Sequence, residues 1–152
     1  MVGTFNQPKF VICDPQILTT LPADQLDSGF AEIVKHTLIA DRQMFEYLEE
    51  NAEKALNLDM DVIETLVDNS VNIKSGVVNR DEKESGERRK LNLGHTYGHA
   101  AEKVLQVSHG FAVSLGLVVA ARLSVKRGLL IQADADRIVA LLKRLNLPTV
   151  IT

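Results

Sequence analysis

Three of the four histidines in this sequence crowd into Leu91 to Gly110, LNLGHTYGHAAEKVLQVSHG, a density that asks for a chemical reason. His95 and His99 are four residues apart, so on a helix they share one face about one turn apart, and His109 opens the next helix after a short turn. Two imidazoles placed this way can converge on one ion. A catalytic ion of the zinc type takes about three protein ligands and keeps a position open for substrate, and imidazole plus carboxylate satisfies it. Glu32 is the best placed carboxylate, because it interrupts the apolar segment GFAEIVKH, Gly29 to His36, where a buried charge without a partner is costly. Two plainer readings stay open. Glu32 also reads as the solvent edge of an amphipathic face or a local partner of Lys35 or His36, and His95 and His99 as two partly exposed helix histidines. The sequence contains no His-Glu-x-x-His and no His-Asp pair, which speaks against zincin proteases and HD-type phosphohydrolases.

A second set of residues is cationic: Lys35, Lys74, Arg88, Arg89 and Lys90, with Arg88 four residues before Asn92. The planar fork of Arg suits carboxylate or phosphate and Lys adds a mobile point charge, so an anionic substrate beside an ion would draw on both. The plainer alternative is a solvated loop, because Asp81, Glu82, Glu84 and Glu87 nearly neutralise the same stretch. Gly94 and Gly98 bracket His95-Thr96-Tyr97, and Gly110 follows His109. Glycine within a helix costs about 1 kcal/mol relative to alanine, so its repeated use points to tight packing or to a bound molecule.

These groups need helices to position them. The run from Ala23 to Ala40 carries Leu26, Phe30, Ile33, Val34, Thr37 and Leu38 at helical spacing, and Asp41 is placed to cap a second helix to about Asn51. From Asp61, the apolar positions through Val78 mark a third amphipathic helix, which its β-branched residues leave dependent on packing. Asn79 to Lys90, NRDEKESGERRK, reads as a surface loop. Helical character returns from about His95 to Val107, from His109 to Arg127 and from Asp134 to Asn146, before Pro148. Lys9 to Cys13, an apolar run ended by Asp14-Pro15, reads as the one strand. A lone strand leaves its backbone groups unpaired. The expectation is therefore that its sheet lies elsewhere, that the chain is the later part of a longer polypeptide, and that Met1 is an imposed start.

With 152 residues, 45% apolar and 24% charged, the chain has the make-up of one folded domain and not of a disordered or low-complexity segment. A net charge of −3 gives no bulk attraction to nucleic acid or to an anionic membrane, so any anion site must be local. The longest apolar stretch, Phe111 to Leu123, holds Ser114 and Arg122 and falls short of the roughly 20 residues that span a bilayer, so it reads as a buried helix. The single Cys13 forms no internal disulfide and no signal-peptide pattern is present, which points to the cytoplasm.

Taken in order, Ser28-Gly29-Phe30-Ala31-Glu32-Ile33-Val34-Lys35, Lys74 with Val77-Val78, Asp81-Glu82-Lys83-Glu84-Ser85-Gly86, Arg88, LNLGHTYGHA and His109-Gly110 resemble the 3-dehydroquinate synthase family over nearly the whole chain. The resemblance implies a mainly α fold: the helical C-terminal domain of a two-domain α/β enzyme, with one orphan N-terminal strand. Residues 1–22 would be the last strand and linker of an NAD-binding α/β domain, and residues 23–152 the helical metal- and substrate-binding domain. By position, Glu32, His95 and His109 resemble the zinc ligands, and His99 an active-site histidine close to the substrate phosphate. Lys35, Lys74, Arg88 and Asn92 match positions that hold the substrate's carboxylate, hydroxyl and phosphate groups, and Glu84 an acidic residue near the site. Ile17, Leu18, Thr19 and Thr20 resemble the short segment that contacts NAD.

The activity so implied is conversion of 3-deoxy-D-arabino-heptulosonate 7-phosphate to 3-dehydroquinate and phosphate, a step of the shikimate pathway to aromatic amino acids. It proceeds by NAD-dependent oxidation, phosphate elimination, re-reduction and intramolecular aldol closure. NAD and zinc, with cobalt as an alternative, are the implied cofactors. The partner is a small phosphorylated sugar acid, with no nucleic acid or membrane, in a homodimer when full length, and the piece alone is expected to be inactive. One departure stands out: the family commonly reads His-Gly-Glu-Ala-Val where this chain has His109-Gly110-Phe111-Ala112-Val113, so a carboxylate that would orient a histidine is absent at that place. A sibling cyclase giving an inosose or valiolone-type product, and from another class a non-catalytic helical assembly module, are the competing readings.

Overall fold

The computed structural model describes residues 8–151; Met1, with its expected role as an imposed start, lies outside them, as does Thr152. Among the described residues the chain forms α1 (Ala23–Ala40), α2 (Arg42–Leu56), α3 (Met60–Arg80), α4 (His95–Leu105), α5 (His109–Lys126) and α6 (Gln132–Arg144). Two 3-10 helices, Pro15–Thr20 and Glu87–Asn92, complete the order. Side-chain caps start several of these elements. Asp14 accepts from the Gln16 amide at 3.0 Å, Asp41 from Met44 at 3.0 Å and Asp59 from Val62 at 3.3 Å, each satisfying a donor the first turn leaves free. Helix α2 continues past the expected Asn51 to Leu56, because Ala52 and Ala55 are buried in the core; the Asn51 side chain donates to the Tyr47 carbonyl at 3.0 Å.

Helix α5 is the centre of the bundle and packs on α4, α1 and α6. Val113 and Leu117 of α5 meet Phe30 and Val34 of α1, Leu48 of α2, Ile63 and Leu66 of α3, and Leu141 and Leu142 of α6 in one core. Burial of each such side chain stabilises by about 1.5–3 kcal/mol, enough to hold the β-branched α3 in helix. The fully buried Ser114 donates to the Pro148 carbonyl at 2.8 Å and fastens the segment after α6 to α5. By length and mean hydropathy, 1.2, His109–Lys126 would suffice to cross a membrane, but half of it is buried against neighbouring helices.

Two expectations need correction. Lys9 to Cys13 forms no strand; Phe10, Val11 and Ile12 are exposed, because the described chain offers no second strand to bond them. The stretch Asn79 to Lys90 is not a uniform surface loop either. Asn79 and Arg80 end α3, Glu87 to Lys90 turn in a 3-10 helix, and between them Asp81 is buried as an internal acceptor.

Candidate metal centre

Glu32 projects from the middle of α1, while His95 and His109 are the first residues of α4 and α5. Their meeting depends on close helix contact. A side-chain carbon on Gly110 would lie 2.3 Å from Ser28 backbone atoms, and one on Gly116 would lie 1.8 Å from the Gly94 carbonyl oxygen. Gly94, at φ +79, makes the turn into α4 that side-chain-bearing residues avoid. The sequence leaves packing and a bound molecule as alternatives for the glycines; at Gly110, the structure shows backbone packing.

Glu32 Oε1 lies 3.6 Å from His95 Nε2 and 3.7 Å from His109 Nε2. This oxygen is buried and has no hydrogen bond, whereas Oε2 accepts from the buried Lys35 ammonium at 2.6 Å. Both the local ion pair and the convergence with histidine are therefore present. The ring nitrogens are arranged to match. His95 Nδ1 faces the Leu93 carbonyl at 3.2 Å and His109 Nδ1 faces Glu102 Oε2 at 3.3 Å. Carbonyl and carboxylate oxygens only accept, so each Nδ1 carries a proton, and in the neutral ring each Nε2 then turns a lone pair toward Glu32. Ligands of a tetrahedral ion at 2.0–2.1 Å stand about 3.4 Å apart, so the carboxylate oxygen needs to close on each imidazole by only a few tenths of an ångström. A buried, unbonded carboxylate oxygen facing two free imidazole lone pairs fits a divalent cation.

Burial works to raise the Glu32 pKa, but the hydrogen bond and charge of Lys35, with the nearby His95 and His36, outweigh it and hold the group below its ordinary value. Burial pushes His95 down, reinforced by Lys35 and His109 against the Leu93 contact and Glu32. At neutral pH this favours a carboxylate beside neutral imidazole, the protonation states that bind metal. His36, buried on the same helix, is pushed down to about 4 by desolvation and Lys35, and its Nδ1 meets Ser70 Oγ at 2.6 Å while Nε2 is buried without a partner.

The remaining sequence-derived residues separate into groups. The His99 ring centroid is 5.3 Å from that of His95 and 6.1 Å from that of His109, and the exposed ring groups with Glu102 and His109 rather than with Glu32. Lys35 is in the cluster through Glu32, and Lys74 on α3 is exposed and acts electrostatically on His36. Arg88 donates to the Glu82 carbonyl at 2.7 Å, and Asn92 to Glu84 Oε1 at 2.7 Å, so both are engaged within their own loop. That loop hangs on Asp81, whose carboxylate accepts from the amides of Ser85, Gly86 and Arg88 and from the Ser85 hydroxyl. Those bonds hold the Asp81 carboxyl far below its usual range, with the Arg88 amide the strongest. Glu84 takes φ +57, a left-handed turn that the Asp81 bonds impose on a non-glycine residue. Ile17, Leu18, Thr19 and Thr20 lie in the first 3-10 helix, Pro15–Thr20, against α3, with the Thr19 and Thr20 hydroxyls bonded to carbonyls of their own turn and Ile17 exposed.

Glu102 is the residue that sequence reasoning missed. It shares a helix face with His95 and His99, seven and three residues behind it, and that periodicity was the available signal.

Comparison with known proteins gives one direction. Residues 29–152 match the family described as 3-dehydroquinate synthase C-terminal. The 3-dehydroquinate synthase of Aliivibrio fischeri (strain MJ11) is 46% identical over 151 residues, 97% of this chain and 42% of the relative. That of Caulobacter vibrioides (strain NA1000 / CB15N) is 43% identical over 153 residues, 98% of this chain and 41% of the relative. This chain thus spans about two fifths of the length of the curated relatives it matches. Among solved structures, ValA (2-epi-5-epi-valiolone synthase) from Streptomyces hygroscopicus subsp. jinggangensis 5008, with NAD+ and Zn2+ bound, superposes with a TM-score of 0.84 at 27% identity, covering 91% of this chain and 39% of that one.

Proposed function

The chain belongs to the 3-dehydroquinate synthase family, and we propose that it is the metal- and substrate-binding part of an enzyme that converts 3-deoxy-D-arabino-heptulosonate 7-phosphate to 3-dehydroquinate and phosphate. Residues 23–152 form that helical part, and residues 1–22 lead into it from an NAD-binding domain. The observation that carries the reading is Glu32 Oε1, buried without a hydrogen bond and facing His95 Nε2 and His109 Nε2 at 3.6 and 3.7 Å.

In this reading Glu32, His95 and His109 hold zinc, and Lys35 occupies the second carboxylate oxygen so that Oε1 is left to the ion. Bound there, zinc supplies Lewis acidity toward a substrate hydroxyl and ketone, and NAD supplies hydride acceptance and return. The chain's other residues bind and orient. Lys35, Lys74, Arg88 and Asn92 bring donors to the carboxylate, hydroxyl and phosphate of one flexible substrate, and His99 hydrogen-bonds near the leaving phosphate. Asp81 holds the loop from Glu84 to Arg88 in register for that task, and Glu84 fixes the Asn92 amide. Identity of 46% to a 3-dehydroquinate synthase against 27% to the valiolone synthase supports the carboxylated substrate over the sibling one.

The test is product analysis of the full-length protein with NAD, zinc and the heptulosonate phosphate. Equal amounts of 3-dehydroquinate and phosphate are expected. A protein that retains zinc but leaves this substrate untouched would overturn the substrate, and one that retains no zinc would overturn the site.

A further inference from the structure

We propose that Glu102 is a positioning residue for the metal ligand His109, fixing both its tautomer and its ring orientation; the inference rests on the metal reading above. The two histidines of the cluster are held very differently. His95 has a side chain only 14% exposed, and its Nδ1 is tied to a backbone carbonyl that cannot swing away. His109 is 47% exposed at the first turn of α5, so packing does little to confine its ring. Its Nδ1 contact is Glu102 Oε2, 3.3 Å away and seven residues earlier on the preceding helix. A carboxylate accepts and never donates, so this contact places the proton on Nδ1 and the lone pair on Nε2, the atom 3.7 Å from Glu32 Oε1. Without Glu102 the neutral ring would divide between two tautomers and several rotamers, of which only one presents Nε2 to the cluster. A carboxylate on the outer nitrogen also makes the imidazole a stronger donor.

The same residues allow a competing arrangement, in which one ligand atom each of His99, Glu102 and His109, all within 4.8 Å of one another, hold a second cation. Bound through His109 Nδ1, the nitrogen that faces Glu102, such a cation would exclude the first arrangement, because that nitrogen either carries a proton or binds metal. Zinc binding to the full-length wild-type protein, Glu102→Gln and Glu102→Ala decides between them, read by competition with a chromophoric chelator and by the visible spectrum of the cobalt-loaded forms. Glu102→Ala is expected to weaken zinc about 10–100-fold. Glu102→Gln, which keeps an accepting oxygen without the charge, should weaken it less and shift the cobalt bands less. The metal-free proteins should melt together, since the Glu102 side chain is 39% exposed. Unchanged affinity in both variants would overturn the role of Glu102 and leave the Glu32 site standing. Two zinc ions in the wild type, one of them lost in Glu102→Ala with the other's affinity intact, would overturn it in favour of a second site. A wild type that binds no zinc would refute the metal reading itself.

Discussion

Replacing Gly116 with alanine should damage the metal centre from a distance. The added carbon would lie 1.8 Å from the Gly94 carbonyl oxygen and 2.7 Å from its carbon, where real contacts stay above 3.0 Å. The obstacle is backbone, so no rotamer relieves it, and α4 and α5 must separate by about 1.2 Å in a close-packed interior. Overpacking costs about 1–3 kcal/mol, and a rigid obstacle belongs at the upper end. At about 2–4 °C per kcal/mol for a chain of this size, the melting temperature should fall by roughly 6–12 °C. Gly94 immediately precedes His95, so the same shift moves a ligand by several times the ~0.2 Å that a metal site tolerates. Zinc retained after dialysis should drop along with stability. Gly128→Ala is the control: nothing lies within 4 Å of its added carbon, its φ of +69 imposes only local strain, and it sits just past the far end of α5 from His109. That variant should lose about 1–2 kcal/mol and keep its zinc. Thermal melts and metal content of both proteins are the assay. Gly116→Ala with wild-type stability and zinc content would refute the argument that close helix approach assembles the site.

Asp81→Ala should lower the melting temperature and raise KM for the proposed phosphorylated substrate, because the amides of Ser85, Gly86 and Arg88 lose their common acceptor. Its carboxyl is held below the ordinary 3.8, so its contribution is complete above that pH and is lost as pH falls further; melts of wild type and variant should converge in strong acid. His36 is held neutral, with its pKa lowered from 6.5 to about 4, so the folded state loses stability as pH falls across that interval. His36→Leu should flatten the slope of stability against pH there, as followed by urea titration at several pH values, and an unaltered slope would place the proton uptake elsewhere.

Much of the scaffold was legible because its signals are local. The apolar spacing of Ala23 to Ala40 gave α1 to the residue, and Asp41 at a helix junction caps α2 as its side chain suggests. Glu32 was conspicuous as a charge among apolar neighbours, and the structure explains it through both Lys35 and the histidines. What stayed hidden involves groups that leave no pattern. An aspartate that collects backbone amides, as Asp81 does, looks like any acid in a charged loop. The His36 contact with Ser70 spans 34 residues and joins two helices whose mutual rotation no periodicity reveals. Lys9 to Cys13 failed for the opposite reason: its residues favour a strand, yet a strand exists only with a bonded neighbour, and among the described residues there is none. Phe111 stands where the resemblance leads one to expect a carboxylate, while the carboxylate that faces His109 Nδ1 sits on α4 as Glu102.

The central claim is that the ion is held by Glu32, His95 and His109, with His99 outside the set. The most direct test is the zinc-to-protein ratio of full-length His109→Ala and His99→Ala after identical dialysis. His99→Ala should keep the wild-type ratio, since its ring is absent from the donor group around Glu32, and on the role proposed for it beside the substrate phosphate it should lose turnover. His109→Ala should lose most of its zinc, because one imidazole and one carboxylate are too few to hold it. Equal loss of zinc from the two variants would contradict the account and make the helical pair His95 and His99 the chelate.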